Sequence, residues 1–177
     1  MNTHRLNLKL IILILCAMNF SCVVAADTKA LIRQANLPVT TPQELQELAS
    51  NSHAPVRVAV AMNRKTPVEV LDKLAKDREQ DVRIAVCTNL STAEKTYFTL
   101  AHDASEEVRS VVARFEYVSA AVLATMATDK SSDIRMEVAR NWNTDVPTLT
   151  ILSQDEYQEV SNMAMQTLHQ REQEKEQ

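Results

Sequence analysis

Residues Asp81–Asn89 read DVRIAVCTN, and residues Pro55–Asn63, upstream by 26 positions, read PVRVAVAMN. One half-apolar phrase stands twice, with the same Val-Arg pair near its head. Sliding the chain against itself by 26 residues extends the match without a gap from Leu48 to Gln177. One column then holds Leu48, Leu74, Leu100, Met126 and Leu152, and a second holds Val56, Val82, Val108, Ile134 and Val160. Between them an acid recurs as Asp77, Asp103, Asp129 and Asp155, with Asn51 in the first unit. Arginine follows the aliphatic column as Arg57, Arg83, Arg109 and Arg135, and Ser161 stands there in the last unit. Chance does not hold so many columns in register, so the chain reads as a repeat.

Each unit divides into two short helices. In the first, Val82, Ala85 and Val86 fall at i, i+3 and i+4, as do Val56, Ala59 and Val60, giving one apolar stripe. The second carries Leu71, Leu74 and Ala75, then Tyr97, Leu100 and Ala101, then Leu123, Met126 and Ala127. TPVE (Thr66–Glu69) and TPQE (Thr41–Glu44) read as capping boxes with proline at the first helical position. Asn63, Asn89 and Asn141 close the first helices, where a short polar side chain suits a left-handed turn that glycine would otherwise serve. Helices of two to three turns are marginal alone, because nucleation is costly. They persist when neighbouring units bury each stripe, so the expected fold is all-α, an α-solenoid of stacked helical pairs with a 26-residue period.

The words VRVAVAMNRKTPVEVLDKLAKD and their copies resemble the leucine-rich repeat variant family, a relative of HEAT-like helical solenoids, over residues 41–168. The resemblance implies that the second element of each unit can be 3₁₀-helical. It implies arginine–acid ladders between units as well. A family member carries an iron–sulfur cluster on an N-terminal cysteine group; here the N-terminal cysteines, Cys16 and Cys22, lie in a leader-like segment, so no cofactor is expected.

That leader is residues 1–26. Arg5 and Lys9 precede the apolar run LIILILCAMNF (Leu10–Phe20), and small residues (Val24–Ala26) stand before Asp27, the pattern of a cleaved secretory signal. The run is short for a spanning helix, which needs roughly 20 residues. A retained anchor, or lipidation at Cys22, would instead tie the chain to a membrane. Residues 27–40 read as a linker, and residues 41–168 as the repeat domain, with a terminal half-repeat, about four full repeats and a second half-repeat. Residues 169–177, HQREQEKEQ, read as a polar tail. The expected location is the periplasm or the extracellular space.

Composition narrows the chemistry. The chain has no glycine, hence no Rossmann fingerprint, P-loop or glycine-turned calcium loop. Without Arg5 and Lys9 the 19 basic residues become 17 against 23 acids, a net charge of −6 that disfavours nucleic acid. Cys87 is the one cysteine beyond the leader, in a column of Ala61, Ala113 and Ala139, and reads as a small buried hydrophobe. His53, His102 and His169 occupy unrelated columns, and no zinc-binding spacing occurs.

Two candidate binding features remain. Arg83, Arg109 and Arg135, with Arg57, would line a groove for carboxylates or phosphates if free, or pair with Asp77, Asp103 and Asp129 as a ladder that fixes register. Trp142, the only tryptophan, sits in a variable column with Arg64, Leu90, Glu116 and Leu168, as an interface anchor or as a cover for the Asn141 turn. The expected function is binding or scaffolding of another protein, with no enzymatic activity. A structural or chaperone-like subunit of an envelope assembly is the alternative, and a HEAT-like enzyme ranks third.

Overall fold

The computed structural model describes residues 27–175, and the leader with Cys22 lies outside the described residues. The described residues form eleven α-helices and no strand. Residues 27–36 are α1, followed by α2 (Pro42–Leu48), α3 (Ala54–Met62), α4 (Val68–Leu74), α5 (Gln80–Cys87) and α6 (Glu94–Leu100). Then come α7 (Glu106–Arg114), α8 (Ala120–Met126), α9 (Ser132–Arg140), α10 (Val146–Leu152) and α11 (Gln158–Lys175). The second helices are α-helical throughout their seven residues, not 3₁₀.

Helices α3, α5, α7, α9 and α11 form one layer, each packed on the next. Helix α4 lies against α3 and α5, α6 against α5 and α7, and α10 against α9 and α11. The apolar stripes are buried where these helices meet: Val82, Ala85, Val86, Leu71, Leu74, Leu100, Leu123 and Met126 are all enclosed. Every side chain of the Val56, Val82, Val108, Ile134 and Val160 column is buried too. Fully burying such a side chain stabilises by about 1.5–3 kcal/mol, which short helices lack on their own.

Four expectations need correction, the last of them at the asparagines. Residues 27–36 are helical instead of a linker: Ala35 is buried, Ile32 packs against the core, and the Ala35 carbonyl accepts from Asn63 Nδ2 at 2.7 Å. Residues 169–175 continue α11 instead of forming a tail, and Arg171 turns back onto Trp142. Thr66 caps no helix. It stands in the column of Thr40, not of Thr41, and donates its hydroxyl back to the Val60 carbonyl, while Pro67 is the N-cap of α4. Thr41 does form a capping box with Glu44.

The asparagines work by another geometry than a left-handed turn. No described residue has a positive φ, and Asn63 and Asn141 are extended, at φ −74° and −67°. Each asparagine oxygen accepts the N–H two residues on, as Asn89 does from Ser91 at 2.8 Å, an Asx-turn that needs no glycine. Each amide then reaches the preceding helix of its layer. Asn89 Nδ2 donates to the Ala61 and Asn63 carbonyls at 2.6 and 2.9 Å, and Asn141 Nδ2 to those of Ala113 and Phe115 at 2.7 and 3.2 Å. At the last helix Thr167 takes over, donating to the Ala139 carbonyl at 2.9 Å.

Candidate functional site

The arginine column forms a ladder. Arg83 Nε and Nη2 grip Asp103 at 2.6 and 2.9 Å, and Nη1 donates to the Asp77 carbonyl at 2.8 Å. Arg109 does the same with Asp129 at 2.7 and 3.2 Å and with the Asp103 carbonyl at 2.9 Å. Arg135 grips Asp155 at 2.6 and 2.9 Å, and Arg57 grips Asp77 at 2.7 Å through each nitrogen. Each acid also accepts the N–H two residues on, from Glu79, Ser105, Ser131 and Tyr157. Planar guanidinium and carboxylate forks match in this bidentate form, so every rung fixes distance and orientation between neighbouring helices.

The electrostatics follow from the pairing. Burial pushes the carboxyls of Asp77, Asp103 and Asp129 up, but the arginine hydrogen bonds, a backbone N–H and the nearby positive charge outweigh it. The net result is a carboxylate held below its ordinary range. At Asp155 the Arg135 hydrogen bond is the largest influence and acts in the same direction. The four guanidinium groups are raised, chiefly by the same bonds. Arg83, Arg109 and Arg135 therefore spend three nitrogens each on protein acceptors, and their side chains are almost wholly enclosed.

Trp142 stands apart from this ladder. It follows the C-cap of α9, is 55% exposed, and lines a shallow hollow with Arg114, Glu116, Glu137, Arg140 and Asn143. The Arg171 guanidinium from α11 lies 5.1 Å from its ring centroid and donates to its carbonyl. Arg140 pairs with Glu137 on its own helix at 3.3 Å. One face of the indole is thus held by a cation–π contact while the rest faces the hollow.

The structure adds residues that the sequence reading passed over. Tyr117 is exposed, Leu90 is exposed in the column of Trp142, and Met62 is exposed at the end of α3. Tyr117 meets Phe115 edge-on at 5.6 Å, and Phe115 stacks with Tyr97 at 5.9 Å. The signal for them was present: Leu90, Tyr117 and Met62 are large apolar side chains in columns that also hold Arg64, Lys65 and Arg114 respectively, and such columns have no packing task. Among the described residues no helix is long and apolar enough to cross a membrane, and no group of His, Cys, Asp or Glu is placed to hold a metal ion. No family model matches the chain, and no curated protein matches it significantly.

Proposed function

We propose that this chain is an exported α-solenoid of stacked helical pairs with a 26-residue period, kin to the leucine-rich repeat variant type, and that it binds or scaffolds another protein. The recurrence of one bidentate bond at Arg57, Arg83, Arg109 and Arg135 supports the period, and the layer of mutually packed helices supports the stacking. The observation that carries the function is a division of labour among side chains. The arginine–aspartate chemistry that recurs from Arg57 to Arg135 is consumed in holding the units together, while the large side chains left outside, Trp142 and Tyr117 foremost, make one ring contact each within the chain and keep most of their surface in solvent. Aromatic residues set among arginines are the usual anchors of protein interfaces.

Cross-linking of the full chain in the envelope fraction, followed by capture, tests the reading. The expected result is one protein recovered repeatedly in near-stoichiometric amount. Repeated recovery of no partner counts against it. Export is checked by the mass of the mature chain, which should begin at Asp27.

A further inference from the structure

We propose that the stack carries a built-in hinge between the helix pair α5–α6 and the pair α7–α8, opening at the C-terminal ends of α5 and α7 and pivoting on their N-terminal ends. The hinge goes beyond the binding reading and stands without it.

Neighbouring first helices are tied at both ends. At the N-terminal ends the tie is an arginine–aspartate rung. At the C-terminal ends it is a side chain that donates back to a carbonyl of the preceding helix: Asn63 to Ala35, Asn89 to Ala61, Asn141 to Ala113 and Thr167 to Ala139. A further donor reinforces two of these junctions. Ser91 Oγ donates to the Arg64 carbonyl at 2.9 Å, and Asn143 Nδ2 to those of Glu116 and Val118 at 2.6 and 2.9 Å.

Between α5 and α7 both donors are replaced. Phe115 stands in the column of Asn89 and Asn141, and Tyr117 in that of Ser91 and Asn143. The backbone at Phe115, φ −70° and ψ 126°, is close to that of Asn63 and Asn141, so the difference lies in the side chain. Tyr97 does donate to the Cys87 carbonyl at 3.0 Å, but Cys87 ends α5 and Tyr97 lies on α6. That bond stays inside one helix pair and crosses nothing. Two contacts do cross at this end: the ring contact of Tyr97 with Phe115, and a hydrogen bond in solvent from the Ser119 hydroxyl to Glu94, at the starts of α8 and α6. Offset and edge-on ring pairs are both favourable, so a ring contact survives tilting that breaks a directional hydrogen bond. Water replaces the exposed Ser119 bond at little cost. Among α3, α5, α7, α9 and α11, the neighbours that pack least extensively are α5 and α7.

The opposite ends hold. Arg83 grips Asp103 through Nε and Nη2, Ser105 Oγ donates to Gln80 Oε1 at 2.7 Å, and Gln80 Nε2 donates to Glu107 Oε2 at 2.6 Å. A tilt about these links leaves the Cys87 carbonyl with its Tyr97 partner. At α3–α5, α7–α9 and α9–α11 the same tilt pulls a buried amide or hydroxyl off its carbonyl. The angle between α1–α6 and α7–α11 is therefore the soft coordinate, and it sets the surface that the two parts present together.

Spin-label distances test this. Asn36, Met62, Thr88, Arg114, Arg140 and Gln166 form one exposed column at the C-terminal ends of the first helices. Labels two helices apart in that column lie about 20 Å from each other. They are introduced into the full chain carrying Cys16→Ala, Cys22→Ala and Cys87→Ala. The pairs Met62→Cys with Arg114→Cys and Thr88→Cys with Arg140→Cys span the hinge. Asn36→Cys with Thr88→Cys and Arg114→Cys with Gln166→Cys do not. The spanning pairs should give distance distributions at least about twice as broad as the others, while Asp81→Cys with Asp133→Cys, at the N-terminal ends, stays narrow. Tyr97→Leu with Phe115→Asn supplies the missing tie and should narrow the spanning pairs to the width of the rest. Asn141→Ala removes a tie and should broaden the Arg114–Gln166 pair. Equal widths in all the C-terminal pairs, equal broadening at the N-terminal ends, or a spanning width that the added tie leaves unchanged overturns the hinge. Should the tie variant fail to fold, the comparison among the parent pairs decides by itself.

Discussion

Tyr97 lies over Phe115, ring centroids 5.9 Å apart, and donates its hydroxyl to the Cys87 carbonyl at 3.0 Å. Elsewhere in the layer that carbonyl position is served by Asn89, Asn141 or Thr167, and the column of Tyr97 holds Leu71 and Leu123. Phenylalanine cannot donate, and Tyr97 supplies from the second helix the bond that Phe115 cannot make. The two departures from the pattern are one exchange.

The exchange predicts energetic coupling. Tyr97→Phe leaves a buried carbonyl unsatisfied and should cost about 1–3 kcal/mol. Phe115→Asn alone crowds an amide against the tyrosine. The double change Tyr97→Leu, Phe115→Asn restores the arrangement of the neighbouring units, so its cost should fall short of the summed single costs by at least about 1 kcal/mol. Denaturant melts of the four proteins measure this. Simple additivity contradicts the exchange.

The ladder makes a stability prediction for Arg109. Its side chain is 5% exposed and that of Asp129 is 9% exposed, so Arg109→Ala strands a carboxylate with little water to solvate it. The expected loss is about 3 kcal/mol, a fall of several degrees in melting midpoint for a domain of this size. The double change Arg109→Met, Asp129→Leu should lose less than the single one, because no charge is left alone. An unchanged midpoint in Arg109→Ala would show that the rung does not hold the fold.

Acid should unfasten the same rungs. The folded-state values of Asp77, Asp103, Asp129 and Asp155 lie below the ordinary aspartate value. A carboxyl depressed on folding contributes stability that is fully present above its unfolded pKa, about 3.9, and is lost as pH falls through the folded values. The melting midpoint should therefore hold between about pH 5 and 7 and drop steeply below about pH 4. Asp129→Asn should flatten that drop, since one titrating rung is gone. An equally steep drop in the variant argues that other carboxyls govern acid unfolding.

The columns that pack were legible because packing repeats: Val56 and its counterparts, the leucine column and the arginine–aspartate register all lie where the 26-residue alignment puts them. What escaped depends on geometry that an identity match does not carry. TPQE and TPVE look alike but stand one residue out of register, so Thr41 caps α2 while Thr66 turns back to Val60. Residues 27–36 lack the Val-Arg word, yet Ala35 and Thr40 meet the same bonding positions as Ala61 and Thr66. The asparagine donors and the Tyr97 exchange join residues 10–28 positions apart, through side chains whose reach is not written in local pattern. Trp142 was visible as an oddity, but its clamp by Arg171 needed α11 to continue past Leu168.

Cys87 offers a probe of how the stack opens. It is wholly buried, and burial pushes its thiol up to about 12, with the Asp103 charge adding to the rise. At pH 7 a thiol of that kind is ionised only to roughly one part in 10⁵, and the reactive form is the thiolate. Iodoacetamide should leave Cys87 unmodified in the native chain, with mapping of the modified peptides separating it from Cys16 and Cys22. Labelling then requires opening, so its rate follows the population of the open form when reclosing is fast. Arg109→Ala, by weakening the rung beside α7, should accelerate labelling in step with its loss of stability. Prompt labelling of the native chain would mean that the α5 face is open to solvent, contrary to the layer in which α3 and α7 close over it.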